Sequence, residues 1–299
     1  MAQVPMTRAI TAGVDGSPES LAAAVWAARE AALRGLPLRL VHAWLGQPLD
    51  VPPDQDRQAE ARRAQGVLDE AETEVRRLHP DVPVTSRLVA DTPVPALLEA
   101  GGTAEMLVLG SRGRGALLGF LLGSYGQQVI ATSACPVVAV RARRDDGAGP
   151  PAGAEAGEVV VGQQGGREES AAVLGFAFGE AAARGVGVRA VRAWSLPSLY
   201  AYSPGSLALA DEAGGLEPFE RKVLSDALAP WRERYPQVPV IEHVELGSGG
   251  QVLLSVASDA GLMVVGRRER QGPLGPRIGS VAHAVLHHAP SPVAVVPHE

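Results

Sequence analysis

Short apolar runs alternate along this chain with longer stretches whose hydrophobic residues recur at helical spacing. The runs Ala9–Val14, Leu38–Trp44, Val82–Val89, Met106–Gly110 and Pro136–Val140 show little polar alternation, the pattern of strands buried on both faces. Between them, Pro18–Arg34, Asp56–Leu78, Val94–Ala100 and Ser124–Thr132 read as helices. Strands alternating with helices predict an α/β domain with a parallel sheet covered on both faces. Its crossovers are right-handed, and its ligands bind outside the carboxyl ends of the strands, where the strand order reverses.

The pattern is written twice. Ala9–Val14 matches Val159–Gln163, Leu40–Trp44 matches Ala190–Trp194, Met106–Gly110 matches Leu262–Gly266, and Pro136–Val140 matches Pro292–Val296. The order is the same in both halves and the spacing reads as the same, so the chain is a tandem duplication. Between the copies, a stretch rich in Asp, Gly, Ala and Pro has no hydrophobic period and reads as a linker. The expected division is residues 1–143, a linker at 144–157, and residues 158–299.

Composition narrows the picture. The 299 residues suit two domains of ordinary size. Aromatic residues make up only 4% of the chain, so the cores must be packed with Ala, Val and Leu. A net charge of −6 argues against a general nucleic-acid or anionic-membrane surface. Lys222 is the only lysine, which excludes a phosphate loop built on lysine. Cys135 is the only cysteine, so no internal disulfide forms. No apolar run approaches the roughly 20 residues of a membrane span, and the N-terminus lacks a signal-peptide core. A cytoplasmic protein with no membrane or nucleic-acid partner is the expectation.

Candidate chemistry gathers at three predicted strand ends. Gly13-Val14-Asp15-Gly16-Ser17 follows the first strand, Val41-His42-Ala43 ends the second, and Leu109-Gly110-Ser111-Arg112-Gly113-Arg114-Gly115 follows the fourth. Gly123 and Ser124 then open a helix at Tyr125. A Gly-rich turn between a strand and a helix offers backbone N–H groups to an anion. Gly110 and Gly113 are expected to admit a ligand where a Cβ would collide. Asp15 reads as a turn residue, as an acceptor for ribose hydroxyls, or as a carboxylate near a phosphate-bound Mg2+. Arg112 and Arg114 are either solvated loop arginines or added charge for phosphates, and Val41 is either a core valine or an apolar wall for a base.

The motif Gly110-x2-Gly113-x9-Gly123-Ser124, with Gly13-Val14-Asp15-Gly16-Ser17 and the closing Ala134-Cys135-Pro136-Val137-Val138-Ala139-Val140, resembles the universal stress protein family over both halves. That resemblance implies an α/β fold of two tandem five-stranded parallel-sheet domains, Rossmann-like and akin to the adenine nucleotide α-hydrolases. It implies bound ATP, with or without Mg2+. Adenine and ribose would meet Gly13, Val14, Asp15 and Val41. The phosphates would meet Gly110, Gly113, Gly123, Ser124 and the Tyr125 backbone, and Leu109 and Arg112 are also expected among the nucleotide-binding residues. It also implies pairing through final strands, so the two halves are expected to form a pseudo-dimer, with a further homodimer and a regulatory protein partner left open.

The second copy departs from the first. Gly162, Gln164, Val191, Gly266, Arg267, Gly279, Ser280 and Val281 take the matching positions. Gln164 stands where Asp15 does, and Glu269 replaces Gly113. A negative charge beside phosphates disfavours them, although Arg267 and Arg268 can neutralise it. The second site is therefore expected to be degenerate or weaker, and Gly272 to Gly275 give its loop another path. His283 and His287 share a helix face without a third ligand, so a metal site is not expected. The functional expectation is an ATP-binding stress-response or regulatory protein. A slow ATPase, an AMP-transferring enzyme of a related fold, and a scaffold without nucleotide are the alternatives.

Overall fold

A computed structural model describes residues 8–44, 56–111, 123–142, 157–195, 216–269 and 277–299. The chain divides into two compact units, residues 1–149 and 150–299.

In the first unit, β1 (Ala9–Gly13), α1 (Pro18–Arg34), β2 (Leu38–Ala43), α2 (Asp56–Leu78), β3 (Val84–Val89), α3 (Pro93–Gly101), β4 (Ala104–Ser111), α4 (Ser124–Thr132) and β5 (Val137–Arg141) follow in order. The strands are parallel and ordered β3-β2-β1-β4-β5. The order reverses at β1, which lies between β2 and β4. Gly13 is in register with both Val41 and Leu109, so three strand ends reach the same level at the carboxyl edge. Helix α1 packs with α2, and α3 with α4.

Local chemistry fixes α1 at both ends. The Ser17 Oγ accepts from the Ser20 N–H at 3.2 Å, Pro18 takes the first turn, and Gly35 closes the helix at φ 62°. Such a cap contributes about 1 kcal/mol. The buried face of α1 is largely alanine: Ala23, Ala24, Ala27, Ala28 and Ala31. Small side chains let the helix lie close to strands whose Ile10, Ala12, Leu107 and Val108 are fully buried.

The second unit repeats the plan with β6 (Glu158–Gly162), α5 (Ala171–Arg184), β7 (Val188–Trp194), α6 (Glu217–Arg234), β8 (Val240–Leu246), α7 (Gly249–Ser255), β9 (Ala260–Arg268), α8 (Ser280–His288) and β10 (Val293–His298). These strands are also parallel, ordered β8-β7-β6-β9-β10. Gly162 pairs with Val191 as Gly13 does with Val41.

The spacing is not the same in the two halves. Gly13 and Gly35 are 22 positions apart, and Gly162 and Gly185 are 23 apart. The extra residue lies between the positive-φ glycine of each turn, Gly16 or Gly165, and the buried Ser20 or Ser170. Gly166 follows Gly165 where the capping Ser17 follows Gly16, and no proline follows it. In place of that cap, residues 167–170 form a turn closed by the Ser170 N–H on the Gly166 carbonyl at 3.2 Å, and α5 begins only at Ala171.

Candidate functional site

The cleft of the first unit lies outside the reversal point of its sheet. The Val14 N–H donates to the Val41 carbonyl at 2.9 Å and prolongs the β1–β2 ladder by one residue. The chain then turns through Gly16 at φ 81°, a left-handed conformation that glycine adopts without cost. Asp15 Oδ1 accepts from the Ser17 N–H at 3.0 Å and from the Ser17 hydroxyl at 2.5 Å. The Asp15 N–H donates to Ser20 Oγ at 3.2 Å. From β2, His42 Nδ1 lies 2.7 Å from the Val14 carbonyl oxygen. A carbonyl only accepts, so Nδ1 carries the proton. One carboxylate and one imidazole thus tie the turn from two sides.

The resulting cleft has a volume of about 360 Å3, within the ~300–1,000 Å3 of small-molecule sites. Val41, Ala43, Leu97 and Leu109 give it an apolar wall; Asp15, Ser17, Glu19 and Ser20 give it a polar one. Gly123, Tyr125 and Gly126, from the start of α4, close its rim. Among the described residues no side chain caps α4, and none stands within 4 Å of a Cβ placed on Gly123. The first N–H groups of α4 therefore lack intrahelical partners beside the cleft.

The second unit has a cleft of about 560 Å3 at its own reversal point. Gln163 takes the place of Val14, and its N–H makes the same ladder bond, to the Val191 carbonyl at 2.8 Å. Arg192 takes the place of His42. Its Nη1 donates to Gln163 Oε1 at 2.7 Å and to the Gly165 carbonyl at 3.1 Å, while its Nε donates to Glu220 Oε2 at 2.6 Å. Glu169 Oε2 accepts from the Gly166 N–H at 3.0 Å. The turn is again tied by a carboxylate and by a basic side chain of the second strand, from different residues.

The family model of the universal stress proteins matches residues 6–141 and 157–297. The chain belongs to the universal stress protein family. A universal stress protein of Mycobacterium tuberculosis is 37% identical over 298 residues, covering 96% of each chain. A second from that organism is 34% identical over 297 residues, covering 96% of this chain and 95% of the other. The fold is shared with a universal stress protein from Archaeoglobus fulgidus, at a TM-score of 0.69 and 17% identity over 98% of this chain and 100% of that one.

Within this universal stress protein, Gly13, Val14, Asp15, Val41, Leu109, Gly110, Gly123 and Tyr125 come together around the first cleft. Ser124 is the exposed first residue of α4, outside the lining. Arg112, Gly113 and Arg114 lie outside the described residues. Gly110 has a different reason to be glycine from the one expected of it. A Cβ there would stand 2.5 Å from the Glu19 carbonyl carbon and 2.6 Å from the Ser20 nitrogen, so it is the first turn of α1 that requires the close approach. Val41 is buried, serving the core and the cleft wall at once.

In the second unit, Gly162, Gln164, Val191, Gly266 and Val281 line the cleft, while Gly279 and Ser280 open α8 beside it. Arg267 does not line it. Strand alternation turns it away from Gly266 into a buried position, with Nη2 3.6 Å from Glu269 Oε1. Burial pulls its guanidinium pKa down, and Glu269 acts in the opposite sense. The carboxylate expected to be missing from this turn is present: Glu169 supplies it from the far side. Gly272 to Gly275 lie outside the described residues. Sequence reasoning missed Gln163, Glu169, Arg192 and Glu220. The available signal was the replacement of Val14-Asp15 by Gln163-Gln164 together with that of His42 by Arg192, two polar changes at adjoining strand ends.

Proposed function

We propose that the cleft of the first unit binds ATP and that the protein acts in stress response as a nucleotide-responsive regulator. The observation that carries this reading is the convergence of the Asp15 turn, the Val41–Leu109 wall and the uncapped start of α4 on one cleft. The residues present fit the ligand. The apolar wall suits a purine base, the Asp15 turn faces the ribose, and the N–H groups after Gly123 suit phosphate oxygens. Asp15 and Glu19 are the lining carboxylates that would face an accompanying Mg2+. Bound ATP supplies a polyanion whose presence distinguishes two states of the protein. The polar groups of the turn are committed to holding its shape, Asp15 to Ser17 and His42 to Val14, which suits a binding role more than turnover.

The test is to denature the purified full chain and identify what it releases, then repeat with Gly123→Val. No described residue stands within 4 Å of a Cβ on Gly123 and its φ of −52° suits any residue, so the variant is expected to fold. Released ATP that falls by one equivalent per chain in Gly123→Val supports the reading. No released nucleotide and no ATP uptake on titration would refute it.

A further inference from the structure

The geometry points to Glu169 as the ligand-facing carboxylate of the second cleft, standing in for Asp15 and receiving the vicinal hydroxyls of a ribose-bearing nucleotide. This rests on the ATP reading of the first cleft and goes against the expectation that the second is degenerate. Asp15 reaches forward from the strand end to the N–H of Ser17. Glu169 reaches backward from the approach to α5 to the N–H of Gly166, the residue that follows the positive-φ glycine as Ser17 does. A Cβ on Gly165 would collide with the Glu169 carboxylate, so this glycine is what lets the carboxylate fold over the turn.

The one-residue insertion explains the exchange. It places residues 167–170 in a turn ahead of α5, from which the side chain at 169 folds back onto the Gly166 N–H. Glu19, without the insertion, stays within α1. Gln164, aligned with Asp15 by sequence, lines the cleft as well and is exposed like Asp15 and Glu169, but it carries no carboxylate. Glu169 lines the second cleft as Asp15 lines the first. Its Oε2 holds the turn, and its Oε1 has no partner among the described residues. Arg192 supports the arrangement by holding the Gly165 carbonyl, with Glu220 and Gln163 fixing the guanidinium.

The experiment is calorimetric titration of the full chain with ATP and with its 2′,3′-dideoxy analogue, for wild type, Asp15→Asn, Glu169→Gln and the double variant. Glutamine keeps an oxygen to accept from the Gly166 N–H, and unchanged thermal midpoints check that the turn survives. The expected result is two ATP equivalents in wild type. Glu169→Gln then weakens one of them by about tenfold or more, Asp15→Asn weakens the other, and the dideoxy analogue does not distinguish Glu169→Gln from wild type. Two unaltered equivalents in Glu169→Gln, or a single equivalent that Asp15→Asn removes, would overturn the role of Glu169 and leave the first cleft's reading standing. No ATP in either cleft would overturn both.

Discussion

Gly110 lies against the backbone of Glu19, so close that a Cβ on Gly110 would stand 2.6 Å from the Glu19 carbonyl oxygen. Two main chains, β4 and the first turn of α1, meet there, and neither can yield as a side chain does. Gly110→Ala is therefore expected to destabilise the first unit by about 2 kcal/mol, an overpacking cost, whereas Gly123→Ala leaves stability unchanged. Urea unfolding of the full chain checks this. Equal midpoints for Gly110→Ala and wild type would show that the helix can move away.

Asp15 has a structural duty that must be separated from any contact with a ligand. Its Oδ1 accepts twice from Ser17, and asparagine offers the same acceptor without the charge. Asp15→Asn is expected to keep the thermal midpoint, while Asp15→Ala loses about 1 kcal/mol with the turn. Differential scanning calorimetry of both variants separates the two.

Arg192 holds three acceptors at once, and its side chain and that of Glu220 are 15% and 18% exposed. Arg192→Met leaves Glu220, Gln163 Oε1 and the Gly165 carbonyl without this donor. The expected cost is about 2 kcal/mol, reduced from that of a fully buried pair by partial solvation. The matching His42→Met change removes a single hydrogen bond and is expected to cost about 1 kcal/mol. The difference in urea midpoints between the two variants is the measurement.

Cys135 is buried beside Ser133, with Sγ 3.4 Å from the hydroxyl oxygen. Burial pushes the thiol pKa up, against a smaller downward pull from the Ser133 hydrogen bond. The stability this contributes is fully present below the ordinary thiol value of about 8.5, and it is lost as pH rises through the higher folded value. Wild type is expected to lose stability as pH rises above about 8.5, and Cys135→Ala to lose less over the same range. The same burial predicts slow modification by a thiol reagent until the first unit unfolds.

Much of the fold is legible in the sequence because the hydrophobic period is strong. Pro18–Arg34, Asp56–Leu78 and Ser124–Thr132 are helices with the boundaries that their hydrophobic period predicts. The start of α5 is not legible, because a one-residue insertion in a Gly-rich turn leaves no hydrophobic mark. The first cleft follows from its strand ends, Gly13, Val41 and Leu109, which parallel register brings level. The second does not. Glu169 acts from the opposite side of its turn, and Glu220 meets Arg192 across 28 positions of sequence, so neither is visible until the helices are placed.

The central claim is that the first cleft holds ATP through the Asp15 turn. Calorimetric titration of ATP into the full chain, for wild type and Asp15→Asn, tests this most directly. The expected outcome is saturable binding in wild type and a loss of about tenfold or more in affinity at one site in Asp15→Asn, with unchanged thermal stability. Binding that is identical in the two proteins, or absent from wild type, would contradict it.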